Sequence, residues 1–294
     1  MKISRMCFHR VLASVLASAC LLACSQKVIA EETSDKTAAI QKFCERFRQE
    51  FQPSIIRHFE LEPETLRHKE VPPVVTQFRG ENIACQSAGA VVVRNQDYIF
   101  RLRRETENDD WKINEAYLRE TGPADPDQCG PVETQVALAE LDRYAPLNIN
   151  HILLDELLLL PGSKTSGWNT SDDGTVTCVV NLSGAAHHTS NGLRTMFTEV
   201  LLKFQPNRYG WIPIRYESEY QNGGRLISDN EDFRTVFGFP VPTKSVVVNL
   251  RPDGSTMHTS AWEKVYEGKG TAVPKDVFYL SHYRLPEPFT LSNE

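Results

Sequence analysis

The 294-residue chain lacks an apolar run of the length, about 20 residues, that a membrane-crossing helix needs. The uncharged stretch Val11–Ala23 covers 13 residues, and later runs such as "HILLDELLLLPG" are shorter and carry acids. Blocks of Lys or Arg are also missing: "FRLRRE" (Phe100–Glu105) alternates bases with apolar residues, as an exposed strand face does. With 32 basic and 38 acidic residues the net charge is −6, and an acidic chain without a basic stripe excludes nucleic acid as a partner. GxSxG, a P-loop, GxGxxG and HExxH do not occur, so no catalytic residue is nominated, no cofactor is called for, and the reading leans away from an enzyme. No CxxC or other metal-like cysteine spacing is present.

What is present begins with an export signal. "MKISRMCFHR" carries Lys2, Arg5 and Arg10 without an acid, and the apolar run follows before small residues. Two cuts fit. One falls before Cys24 in "LLACS", a lipobox-like sequence in which Cys24 would be acylated and anchor the chain to a membrane. The other falls after Ala30, where Val28 and Ala30 satisfy the small-x-small rule and the protein would be released. The first expectation is therefore an envelope lipoprotein, outer-membrane or periplasmic; the second is a secreted protein.

Removing residues 1–23 takes three bases and no acid, leaving 29 bases against 38 acids over 271 residues, a net charge of −9. That length accommodates one large domain or two small ones. Cys44, Cys85, Cys129 and Cys178 remain. In an exported chain they are disulfide candidates in any of three connectivities; as an alternative, they are buried thiols. Cys129, in the polar "DPDQCGPVE", favours pairing, and a bond to Cys178 would staple the linker to the strands that follow.

Hydrophobic periodicity divides the chain further. Residues 24–36 form a polar tether. Over Thr37–Gln52, Ile40, Phe43, Phe47 and Phe51 recur on one helical face, and Pro53 ends it. "VPPVVTQF", "ENIACQSAGAVVVRN", "DYIFRLRRE" and "ENDDWKINEAYLRE" read as strands, the last two a hairpin about Asn108–Asp110. Residues 37–120 are thus a helix with short strands, either a small domain or extra strands of a larger sheet, and residues 121–131 are a linker. From 132 to 294 come two helices, "VETQVALAELDRYA" and "NINHILLDELLLLPG" (capped by Asn148), then a meander: "GTVTCVVNLSG", "LRTMFTEVLLKFQPN", "YGWIPIRYESEYQNGG", "TKSVVVNLRPDG" and "KDVFYLSHY". In "TMFTEVLLKF", Met196, Val200, Leu202 and Phe204 share one face. The fold class is α+β, a curled antiparallel sheet covered by helices.

Helices followed by a meander behind an export signal, together with "YGWIPIRYESEYQNGG" and "VFYLSHYRLPEP", resemble over residues 132–288 the LolA/LolB-like fold of bacterial lipoprotein carriers. The resemblance implies an open half-barrel lidded by helices, whose concave face takes acyl chains. It assigns no binding residue.

Residues with chemical potential have plainer readings. His187 and His188 are adjacent, so on a strand they face opposite ways, and nothing in the spacing brings His258 or His282 to them. "SDDG" (Ser171–Gly174) and "RPDGS" (Arg251–Ser255) are hairpin turns rather than calcium loops. Glu217 and Glu219 share a strand face between Tyr216 and Tyr220 as its polar side. Phe197, Phe204, Trp211, Tyr216, Phe278 and Tyr279 either line a ligand cavity or fill a core. Two functions follow: an envelope protein binding an apolar ligand or acyl chain in its curved sheet, or a non-enzymatic structural or interaction module. A cavity of roughly 300 Å³ or more favours the first.

Overall fold

The computed structural model describes residues 34–118, 131–182, 187–188, 194–195, 197–269 and 272–287. The expected export signal, Cys24, the cut after Ala30 and most of the tether lie outside these residues, as do linker residues 121–130 with Cys129. The chain divides into two compact units, Met1–Lys42 and Phe43–Glu294, the division falling inside helix α1 (residues 34–50). Within the second unit, Phe47 and Phe51 are fully buried and stacked at 4.4 Å, and Phe239 meets Phe47 edge-on at 4.9 Å. Each ring removed from water contributes roughly 1.5–3 kcal/mol, which fixes this end of α1.

Strands β1 (Pro53–Leu61), β2 (Val74–Arg79), β3 (Asn82–Gln86), β4 (Ala90–Arg94), β5 (Tyr98–Arg103) and β6 (Lys112–Leu118) form an antiparallel meander. Helix α2 (Pro131–Asp142), a 3₁₀ turn (Ala145–Leu147), the two-residue strands β7 (Asn148–Ile149) and β8 (Ile152–Leu153), and helix α3 (Leu154–Leu159) come next. The second half holds β9 (Lys164–Thr170), β10 (Val176–Asn181), β11 (His187–His188), β12 (Arg194–Thr195), β13 (Phe197–Phe204), α4 (Pro206–Tyr209), β14 (Pro213–Tyr220), β15 (Arg225–Val236), β16 (Phe239–Leu250) and β17 (Thr256–Lys269).

Thirteen strands make one open sheet in the order β6-β5-β4-β3-β2-β1-β17-β16-β15-β14-β13-β10-β9, with every neighbour antiparallel. It is an α+β fold with a curled antiparallel sheet carrying helices, as expected. Strand β1 pairs with β17 from Pro53↔Lys269 to Leu61↔Ala261, so the strands of residues 53–118 continue the sheet of the second half.

Hydrophobic alternation decides what covers each face. In β4 and β5, Val91, Val93, Tyr98, Phe100 and Leu102 bury against the C-terminal 3₁₀ turns, Asp276–Phe278 and Leu280–Tyr283. Val92 and Ile99, in the opposite phase, meet Val132 and Val136 of α2. Ala139 of α2 packs on Ile56, Phe78 and Ile83. The Arg94–Glu140 ion pair (2.9 Å), the hydrogen bond from Arg143 to the Gly80 carbonyl (2.9 Å) and the Arg143 guanidinium over the Phe78 ring hold the end of α2 down.

Four local expectations need correction. "NINHILLDELLLLPG" is not one helix: Asn148–Leu153 is a tiny hairpin, and only Leu154–Leu159 is helical. "KDVFYLSHY" forms 3₁₀ turns rather than a strand, because Val277, Phe278, Leu280 and Tyr283 all bury on one side. "ENIACQSAGAVVVRN" is two strands, β3 and β4, rather than one. Strands β1, β9, β15 and β17 were not expected from the sequence at all. The Asp-Gly stretches are hairpin turns as read. Asp173 accepts from the Thr175 amide (3.0 Å), and Asp253 from the Ser255 amide (2.9 Å).

Candidate functional site

The site forms where the end of α2 and the β7–β8 hairpin stand over the sheet. Ile149 pairs with Ile152, so Asn150 and His151 form a two-residue turn, both at positive φ (49° and 75°). Positive φ at both central positions is the signature of a type I′ hairpin, which asparagine accepts readily and histidine less so. The turn is tied inward: Asn150 Nδ2 donates to the Tyr220 hydroxyl at 2.7 Å, and the His151 amide donates to Asn148 Oδ1 at 2.7 Å.

Beneath it the sheet contributes one row of inward positions. His58 in β1 stands opposite Lys264 in β17 and Val74 in β2; Ser245 in β16 stands opposite Trp262 and Asn230; Ser228 in β15 stands opposite Val247 and Tyr216. Trp262, Lys264 and Tyr266 share a phase in β17. Their neighbours face the other way, where Glu263 pairs with His68 at 2.5 Å and Glu267 with Arg57 at 2.8 Å.

Two cavities of about 410 Å³ each result. One lies between α2 and strands β3–β5, with Cys85, Val92, Arg101, Leu138 and Ala139 in its wall. The other lies over β1, β14–β17 and β2, with His58, Tyr216, Ser228, Val247, Trp262 and Lys264. Asp142, Asn148 and His151 line both.

Asp142, the last residue of α2, organises the polar corner. Its Oδ2 accepts from Thr76 Oγ1 at 3.1 Å and lies 3.3 Å from His58 Nε2, within ion-pair range but off the hydrogen-bond line. Burial pushes the Asp142 carboxyl up, but His58, Lys264 and the Thr76 hydroxyl together outweigh it and hold the group below the usual carboxylate range. Burial depresses Lys264 and His151 against the opposing pull of Asp142. The Tyr216 and Tyr266 phenols are pushed up, chiefly by burial.

The residues singled out from sequence lie mostly elsewhere. Of the six aromatics, Tyr216 lines one of these two cavities and the other five line neither. Phe204 packs on Trp211 and Phe197 on Tyr220, while Phe278 and Tyr279 sit among the C-terminal turns. Most of the aromatics are therefore core. Glu217 is engaged by Arg215 at 2.9 Å, with Asp229 on the same guanidinium, and Glu219 is exposed. His187–His188 form β11 against Arg194–Thr195; His258 is exposed in β17; His282 Nδ1 lies 3.1 Å from Asp276. No group of three or more His, Cys, Asp or Glu among the described residues is placed to hold a metal ion.

The disulfide expectation is corrected for two of its four cysteines. Cys44 and Cys85 are free thiols, both pushed up by burial, Cys85 to about 11. Cys178 is fully buried in β10. Its postulated partner Cys129 is outside the described residues.

The sequence reading missed His58, Asp142, His151 and Lys264. The available signal was phase: Lys264 interrupts Trp262-x-Lys264-x-Tyr266, and His58 follows Ile56 on the buried side of β1.

Comparison with known proteins gives a weak likeness of fold, of the kind the sequence pattern had indicated. No family model and no curated protein matches the chain. Among solved structures it is similar to a LolA superfamily protein from Nitrosomonas europaea, at 12% identity over 82% of this chain and 98% of that one, with a TM-score of 0.43. It is also aligned with an N-terminal dehydratase from the difficidin assembly line, at 11% identity over 84% and 88% of the two chains, with a TM-score of 0.15. Neither likeness carries a ligand, a reaction or a residue role to this chain.

Proposed function

We propose that the protein is a non-enzymatic binding protein of the cell envelope that holds an apolar or acyl-bearing ligand beneath α2. The supporting observation is the room left there. Each of the two cavities, about 410 Å³, falls within the range of small-molecule sites, and both meet at the α2–β7 corner. Ser228, Ser245 and Val247 form much of one floor, small side chains at inward positions where a filled sheet would carry large ones. Trp262, Leu226 and Val74 supply apolar wall, and the type I′ turn that carries His151 is a local strain of the kind found at ligand sites. Placement in the envelope, by a lipid on Cys24 or by export with cleavage after Ala30, is carried by the sequence alone.

The test is displacement of N-phenyl-1-naphthylamine, a neutral fluorescent probe, by decanol. Wild type is expected to bind both. Val247→Trp, which fills the floor, weakens binding at least about tenfold while leaving the melting transition cooperative. A wild type that binds neither would favour a structural or interaction module instead.

A further inference from the structure

The second cavity holds a lysine with no direct ion pair among the described residues. Lys264 projects from the centre of the sheet into a space walled by Trp262, Val247 and Tyr216, and makes no hydrogen bond and no ion pair within 4.0 Å among the described residues. Lys264 is only partly exposed, and an ammonium drawn part-way out of bulk water is favoured by an anionic partner. The acid that lines the cavity with it, Asp142, already accepts from Thr76 and faces His58. His58 is only 9% exposed, lines the same cavity, and has its Nε2 buried without a hydrogen bond.

The first cavity also carries a base. Arg101 lines it with a buried Nε that lacks a partner, and its nearest carboxylate, on Glu115, is at 4.0 Å. Each cavity therefore carries a base of its own, and the two share one acid. Besides the His151 imidazole, the other polar groups at the second cavity are amides and hydroxyls, those of Asn148, Asn150, Asn230, Tyr216, Ser228 and Ser245.

We infer that the ligand is an anionic amphiphile whose carboxylate or phosphate head sits against Lys264 in the second cavity, with His58 beside it and the apolar part along Trp262 and Val247. This rests on the binding reading above and deepens it. An anion supplies the charge-assisted partner that Lys264 otherwise lacks, and an uncharged head does not.

The experiment displaces N-phenyl-1-naphthylamine from the full chain with decanoate, decyl phosphate and decanol, ligands of equal chain length. At least one of the two anions is expected to bind about tenfold or more tighter than decanol, and the better one distinguishes a carboxylate from a phosphate head. Lys264→Met, close in volume and uncharged, is expected to remove that advantage while decanol affinity stays within about threefold, which also reports that the cavity is still folded. Equal affinities for all three, or an advantage that survives Lys264→Met, overturn the inference and leave the binding reading standing. Failure of decanol and of the probe itself to bind wild type overturns both.

Discussion

His58 and Lys264 stand directly opposite each other where the first strand of the sheet meets the last, 206 residues apart in sequence, and both side chains enter the cavity that α2 closes with Asp142. The β1–β17 pairing is therefore the step that assembles the polar corner. Neither half of the sheet contains it alone.

Asp142 is the single acid lining the two cavities among the described residues, and its loss should be felt in stability. Asp142→Asn is expected to cost about 1–3 kcal/mol at pH 7, less than for a fully buried pair because the side chain is a quarter exposed. Since folding holds its carboxyl below the ordinary range, its contribution is present above the unfolded pKa, near 4, and is lost as pH falls through the folded value. Urea denaturation at pH 7 and near pH 3 checks this: the gap between wild type and variant should narrow at the lower pH.

The β7–β8 turn holds a histidine at φ 75°. Replacing it with glycine gives Asn-Gly, the favoured type I′ pair, so His151→Gly is expected to stabilise the chain by about 0.5–1 kcal/mol in thermal melts. A loss of stability would show that the imidazole makes a contact worth more than the backbone strain.

Gly210 adopts φ 61°, and a Cβ there would lie 2.7 Å from the Phe43 ring. Gly210→Ala is expected to cost about 2–4 kcal/mol, combining left-handed backbone strain with overpacking against α1. The denaturant midpoint reads this directly.

Cys44 and Cys85 should resist alkylation by iodoacetamide at pH 8 in the native protein and react fully in urea, because burial keeps both thiols protonated. A peptide map that found them joined to each other would contradict the structure.

Much of the sheet was legible because one face of many of its strands is apolar. Val200, Leu202 and Phe204 alternate with Glu199 and Lys203, and Asp-Gly marks the turns at residues 173–174 and 253–254. Strand β9 was invisible because its sequence, "KTSGWNT", lies on an open edge and buries no face. Strand β1 was invisible because its inward face carries His58 after Ile56, which breaks the hydrophobic period. The "LLDELLLL" run reads as the continuation of a longer helix, yet the Asn150–His151 turn reverses the chain before it. The same residues that spoil the periodicity build the site, and their meeting depends on β1 and β17 closing the middle of the sheet, which spacing along the chain does not reveal.

The most direct test of the cleft as a container is native mass spectrometry of the full chain purified without detergent or organic solvent. The account expects an adduct of a few hundred daltons that is released on denaturation and absent from Val247→Trp. A bare polypeptide mass for wild type, unchanged after incubation with decanol or decanoate, would contradict it.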